Sequence, residues 1–205
     1  MMNRPGGFTI TDRAIGLCAF RPGSKILDLG CGSGATVEHL VTKYSLDAFG
    51  MDPNPALLPK QHNFILAHAE GIPFATASMD GILMECSFSM MDDQRLVLAE
   101  CYNLLKPDGK LIISDMYARG EPARLEYCTG RIEKKETIIS TLESGGFTPE
   151  HFEDFSTQLK TYWGQMIFMK GAKSFYGDLG TDTETLKKIQ CGYYLLVAVK
   201  KEARP

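Results

Sequence analysis

The chain has 205 residues, 44% hydrophobic and 23% charged, which is enough apolar material for one well-packed domain with a modest elaboration. A net charge of -3 argues against a surface that neutralises a phosphate backbone, so nucleic acid is not an expected partner. Six scattered cysteines without a C-x-x-C pair, a start ("MMNRPGGFTIT") without an apolar run, and apolar stretches only strand-long predict a soluble, cytoplasmic protein with reduced thiols and no membrane span.

In chain order, Thr11 or Asp12 is placed to cap a short helix through Phe20, and "RPGS" turns the chain into a strand, "KILDL". After a glycine-rich turn, Val37, Leu40, Val41 and Tyr44 recur at helical spacing and form an apolar stripe. "DAFGMD" reads as a second strand, "NPALLPK" as a short helix interrupted by Pro59, "NFILAHA" as a third strand and "DGILMEC" as a fourth. Asp92 or Asp93 opens a helix whose apolar face is Val97, Leu98, Cys101, Leu104 and Leu105, and "KPDG" breaks it before a fifth strand, "KLIISD". A looser stretch to Arg131 precedes a helix over Lys134–Ser144, stopped by Gly145 and Gly146. "FTPEHFEDFS" is a sixth strand, and "GYYLLVAVK" closes the chain as a seventh.

Strands alternating with helices predict an α/β, doubly wound, Rossmann-like fold. Its sheet of about seven strands is mainly parallel, with helices on both faces. Residues 1–205 are read as a single domain with an N-terminal helical segment over 1–20. A helical insertion over 157–190 separates the last two strands, so the final strand is expected to return antiparallel, beside the sixth or between earlier strands.

The stretch "SKILDLGCGSGATVEHL" (Ser24–Leu40) is a strand, glycine turn and helix of the kind that holds nucleotide-containing cofactors. Gly30, Gly32 and Ala35 also satisfy the dinucleotide pattern, which leaves a nicotinamide oxidoreductase as an alternative. Asp28 decides the electrostatics: its carboxylate stands at the strand end beside the turn, where it repels a pyrophosphate and favours a cation. S-adenosylmethionine carries an ammonium and a sulfonium, so Asp28, Gly30, Gly32 and Gly34 fit its amino-acid tail better than a dinucleotide.

These residues resemble the class I S-adenosylmethionine-dependent methyltransferases, especially their small-molecule branch, over most of Lys25–Asp115. "ILDLGCGSG" is similar to the family's first motif, which implies that the turn, Cys31 included, holds the methionine part. "GMDPNP" is similar to the second, so Asp52 is expected on both ribose hydroxyls with Pro53 beside it. A carboxylate can accept two such hydrogen bonds. "AHAEGIPF" is similar to the adenine-edge segment and implies contacts from His68, Ala69 and Glu70, with His68 where the family usually has Asp. "LKPDGKLIISD" is similar to the family's entry into the fifth strand.

The acceptor leaves a weaker trace, because methyl transfer from a sulfonium is an in-line displacement that needs alignment, and a base only for acceptors that lose a proton. After the fourth strand, "ECSFS" stands where amino-methylating nucleic-acid and protein enzymes of the family often carry Asn/Asp-Pro-Pro-aromatic, which points to a small-molecule acceptor. Glu85 and Cys86 are expected near the methyl group, Glu85 on the cofactor. Cys86, Tyr117, Tyr162 and Trp163 are candidate acceptor contacts, and no catalytic base is identified. Methylation of a metalloid such as arsenite would need several converging cysteines, of which Cys86 and Cys128 are the candidates; the histidines show no metal-ligand spacing, and no metal is expected. A non-catalytic cofactor-binding module is the third reading.

Overall fold

The computed structural model describes residues 4–125 and 130–201. In chain order the elements are α1 (Phe8–Cys18), β1 (Lys25–Leu29), α2 (Ala35–Tyr44), β2 (Asp47–Asp52), β3 (Phe64–Leu66), β4 (Met79–Glu85), α3 (Gln94–Leu104) and β5 (Leu105–Ala118). There follow β6 (Ala123–Arg124), β7 (Arg131–Ile132), α4 (Lys135–Ser144), β8 (Phe147–Asp154), α5 (Ser156–Lys170), α6 (Ala172–Leu179), α7 (Thr183–Ile189) and β9 (Cys191–Lys200).

Seven strands form one sheet in the order β3-β2-β1-β4-β5-β9-β8. The first five run parallel, and β9 inserts antiparallel between β5 and β8. Side-chain alternation sorts the core into two layers. Leu27, Leu29, Ile82 and Met84 face α3 and α4, where Val97, Leu98, Cys101 and Leu104 form the expected stripe. Ile26, Leu83, Ile112 and Tyr193 face α1, α2 and α5, meeting Ile10, Val37, Leu40 and Leu159. Strand order reverses between β1 and β4, and the crevice above their carboxyl ends is where open α/β sheets bind ligands.

Several elements differ from the sequence reading. The first helix begins at Phe8 and ends at Cys18, because neither expected cap works locally: Thr11 donates to Glu85, and Asp12 bonds His39, Lys43 and Tyr44 of α2. "NPALLPK" is a series of turns, not a helix. Pro53, Pro55 and Pro59 remove donors, and the Asn54 side chain accepts from the Ala56 amide. The third strand shrinks to three residues at the sheet edge, and Val41 drops out of the α2 stripe at 42% exposure. "LKPDG" joins β5 through an irregularity opposite Met79–Gly81, with Asp108 at φ 61°, so the strand begins directly after α3. The loose stretch before Arg131 contains the short β6–β7 hairpin. The helical insertion is split into α5, α6 and α7, the first break falling at Gly171.

Candidate cofactor cleft and active site

The glycine turn is shaped by backbone requirements. Gly30, Gly32 and Gly34 all have positive φ (79°, 52° and 77°), a region that side chains with a Cβ rarely adopt. A Cβ on Gly30 would stand 2.5 Å from that of Ser87, which follows β4, so the ends of β1 and β4 touch here. A Cβ on Gly32 would meet nothing within 4 Å; it would project into open space that the bare backbone leaves for a ligand. The turn is fastened from β2: the amides of Gly30 and Cys31 donate to the Met51 carbonyl at 2.7 and 3.1 Å, and the Gly32 amide donates to Asp52 Oδ2 at 2.9 Å.

Asp52 is buried, and its second oxygen accepts from the Asn54 amide at 2.9 Å. Each oxygen keeps a lone pair, so this carboxylate both anchors the turn and can accept two further hydrogen bonds. Asp28, 3% exposed, shares its face of β1 with Ile26, toward α1 and α2. Among the described residues its carboxyl has no hydrogen-bond partner. Burial first, then the negative charges of Glu85 and Asp52, push it up to about 8, while Arg4 opposes the rise.

A cleft of about 660 Å³ opens over this turn. Its floor is Gly30–Ser33; Ala35, Thr36 and His39 of α2 form one wall, Glu85 and Cys86 a second, and Arg4 and Phe8 a third. The Phe8 ring stacks on His39 with centroids 3.8 Å apart, and His39 Nε2 lies 2.6 Å from Asp12 Oδ1, so the N-terminal segment is clamped to α2. Arg4 forms a partly buried ion pair with Glu85 at 2.8 Å. Thr11 and Thr36 each donate to Glu85, at 2.7 and 2.8 Å, and each accepts from Arg4 at 2.8 Å.

The cleft is glycine-floored, bordered by the buried carboxyl groups of Asp28 and Asp52 and placed at the sheet's reversal point, and these residues fit a ligand with a cationic tail and a ribose diol. Residues 27–113 match the family model of a methyltransferase domain. The 27-O-demethylrifamycin SV methyltransferase of Amycolatopsis mediterranei is 25% identical over 190 residues, covering 82% of this chain and 68% of that enzyme. Over residues 27–113 this chain is similar to methyltransferase domains, and it shares the fold of S-adenosylmethionine-dependent methyltransferases. It spans about half the length of other curated relatives, such as an Aspergillus nomiae O-methyltransferase that is 32% identical over 107 residues, 46% of this chain and 48% of the relative. The S-adenosylmethionine complex of phosphoethanolamine N-methyltransferase 2 from Haemonchus contortus shares the fold, with a TM-score of 0.79 at 16% identity over 98% of this chain and 54% of that one. The [4+2]-cyclase SpnF shares it equally well, with a TM-score of 0.79 at 19% identity over 95% of this chain and 82% of that one.

The methyltransferase fold places the residues picked from sequence in three groups. Gly30, Cys31, Gly32, Glu85 and Cys86 line the cleft, with Asp28 and Asp52 buried around its floor and Gly34 beneath, packed on Phe64 as the cap of α2. Pro53 and His68 are exposed, Ala69 is buried and Glu70 half-buried, in the segments after β2 and β3. Tyr117, Tyr162 and Trp163 are not among the cleft-lining residues. Tyr117 donates to Asp154 and packs on Phe152 and Tyr194, and Trp163 packs on Phe175.

Cys86 adopts φ 57°, a strained conformation for a residue with a Cβ, and its Sγ lies 2.9 Å from the Tyr193 hydroxyl. Burial, reinforced by Asp115, pushes its thiol up to about 12, so it is not a thiolate nucleophile at neutral pH. Cys128, the other cysteine considered for a metalloid, lies outside the described residues. No group of three or more potential metal ligands occurs among the described residues, and no described helix is long and apolar enough to cross a membrane.

Arg4, Phe8, Thr36 and His39 escaped the sequence reading as site residues, and Thr11 was read only as a helix cap. Thr11 and Thr36 carried a readable signal, since each is a hydroxyl within the apolar stripe of its helix, beside Ile10 and Val37. Arg4 carried none.

Proposed function

We propose that the chain transfers the methyl group of S-adenosylmethionine to a small organic acceptor in the cytoplasm. The observation that carries this reading is Asp28, a buried carboxyl without a hydrogen-bond partner among the described residues, beside an open glycine turn. Bound S-adenosylmethionine supplies an electrophilic, sulfonium-activated methyl group. The chain's own residues then do the binding and aligning. Asp28 holds the ammonium, Asp52 accepts from the ribose hydroxyls while its other lone pairs fix the turn, and the bare backbone of Gly32 lets the ligand approach closely. The segment His68–Glu70 borders the adenine.

Alignment and exclusion of water supply most of the acceleration for this displacement. Arg4, Phe8 and Cys86 wall the cleft, and we read α5–α7 as a movable cover, its first turn lying beside the N-terminal segment at Gly6. A small acceptor is supported by the net charge of -3 and by relatives named for rifamycin, demethylmenaquinone and phosphoethanolamine methylation. The cytoplasmic setting is supported by the free thiols of Cys18, Cys31, Cys86, Cys101 and Cys191.

The test has two parts. In calorimetry, S-adenosylhomocysteine should bind at least tenfold more tightly than NADH; equal or reversed affinities sink the cofactor reading. Incubation with methyl-labelled S-adenosylmethionine and the small-molecule fraction of a cell extract should move label into an organic product. Tight cofactor binding without label transfer would make the protein a cofactor-dependent module of another kind.

A further inference from the structure

A helix that is apolar on all sides is ordinarily covered on all sides. Over residues 162–169, apolar side chains point to almost every side of α5, and only one side is covered. Tyr162, Trp163, Met166 and Ile167 form the half-buried side, where Trp163 meets Phe175 of α6. Phe168 and Met169 lie outside it, 91% and 57% exposed, and Gly171 at φ 81° then turns the chain back into α6. The α5–α6 hairpin therefore ends in an apolar tip. The charge around this tip has one sign. Residues 155–177 carry three lysines (Lys160, Lys170 and Lys173) and no acidic residue, in a chain of 205 residues with 25 acids and a net charge of -3. Lys160 is exposed about two turns before Phe168, and Lys170 and Lys173 flank the turn at Gly171. Lys170 reaches Asp178 at 2.8 Å, but both partners are half-exposed, and such a surface pair exchanges readily for another anion.

We propose that the tip of the α5–α6 hairpin docks on the surface of an anionic bilayer, entering one leaflet without crossing it. Phe168 and Met169 supply the apolar part that sinks into the boundary between headgroups and acyl chains, and the lysines meet the lipid phosphates. Lysine stems can lie along the apolar patch while their ammonium groups reach the headgroups. The charge pattern selects this occupant over a second copy of the chain, because two such tips placed together would oppose lysine to lysine with no acid between residues 155 and 177 to pair them. α5 starts two residues after β8, at the carboxyl end of that strand, which is also the end of the sheet that carries the cleft.

The test is co-sedimentation of the full chain with vesicles of phosphatidylglycerol and phosphatidylcholine in equal parts, and with phosphatidylcholine alone. Trp163 is the single tryptophan, so its emission reports on this hairpin directly. Wild type should bind the mixed vesicles about tenfold more tightly than the zwitterionic ones, with binding that weakens as salt is raised and an emission shift to shorter wavelength. Phe168→Glu should weaken binding by about tenfold or more, and Lys170→Ala with Lys173→Ala by about fivefold for each lysine. All three positions are exposed, and an unchanged melting temperature verifies that each variant is folded. A wild type that ignores both vesicles, or binds both equally, overturns the proposal, as does either variant binding like wild type. Self-association that Phe168→Glu abolishes, without vesicle binding, assigns the tip to a second copy and overturns it as well. The measurement uses no cofactor, so its outcome is independent of the methyltransferase reading.

Discussion

Two carboxylates around one turn do different work, and the difference follows from what each already touches. Asp52 is neutralised in part by two backbone amides, whereas Asp28 has only charges for company. Asp28's folded-state value near 8 lies far above that of an unfolded aspartate, so the native state binds the extra proton between about pH 4 and 8. Without ligand, this group's contribution to stability is therefore greatest at low pH and is lost as pH rises through 8. A cationic ligand prefers the ionised form, so S-adenosylhomocysteine affinity should rise from pH 6 to 8 with release of a proton to buffer. Calorimetry in buffers of different ionisation enthalpy reads that release, and Asp28→Asn should abolish it. Asp52→Ala should weaken the same ligand by about 1.5–3 kcal/mol, the range for hydrogen bonds to a charged group, in a protein that still folds. Unchanged affinity would place the ribose elsewhere.

At the scale of elements, the segment α5–α7 divides into an anchored part and an open part. Ser156 and Leu159 are buried, and the Ser156 hydroxyl bonds Asp154, so the first turn of α5 belongs to the core. Farther along, Phe168 is 91% exposed, and the chain breaks at Gly171 and again at Gly180. The start of α5 also meets the N-terminal segment, since a Cβ on Gly6 would lie 3.5 Å from the Gln158 side chain. We expect residues 163–189 to exchange amide hydrogens quickly alone and to gain protection with S-adenosylhomocysteine, while the first turn of α5 stays protected throughout. Protection across 163–189 at the level of β4, unchanged by ligand, would make the whole segment core. Local rules fared unevenly here. The α3 face and its Asp93 cap were readable because a helix repeats every few residues and the cap bonds its own amides. The start of α1 was not, because Thr11 and Asp12 serve partners 74 and 27 or more residues away.

For the molecule as a whole, the sequence by itself determined the alternating fold, the glycine turn and the two acids around it. Those features depend on spacing over a few residues, which backbone geometry converts directly into position: Asp28 sits beside the turn because both belong to one strand end. The two faces of the sheet were likewise written in the periodicity of its strands and helices. Tertiary structure decided the rest. It set β9 between β5 and β8, a choice between neighbours that no local pattern encodes. It moved Tyr117 into an aromatic cluster with Phe152 and Tyr194, and it closed the cleft with Arg4 and Phe8. The wall exists because Glu85 at the end of β4 and Thr36 on α2 converge on a guanidinium from the chain's beginning, contacts separated by 32 residues or more. Such contacts depend on how α1 and α2 pack on the sheet, and that packing is fixed only when the whole core forms.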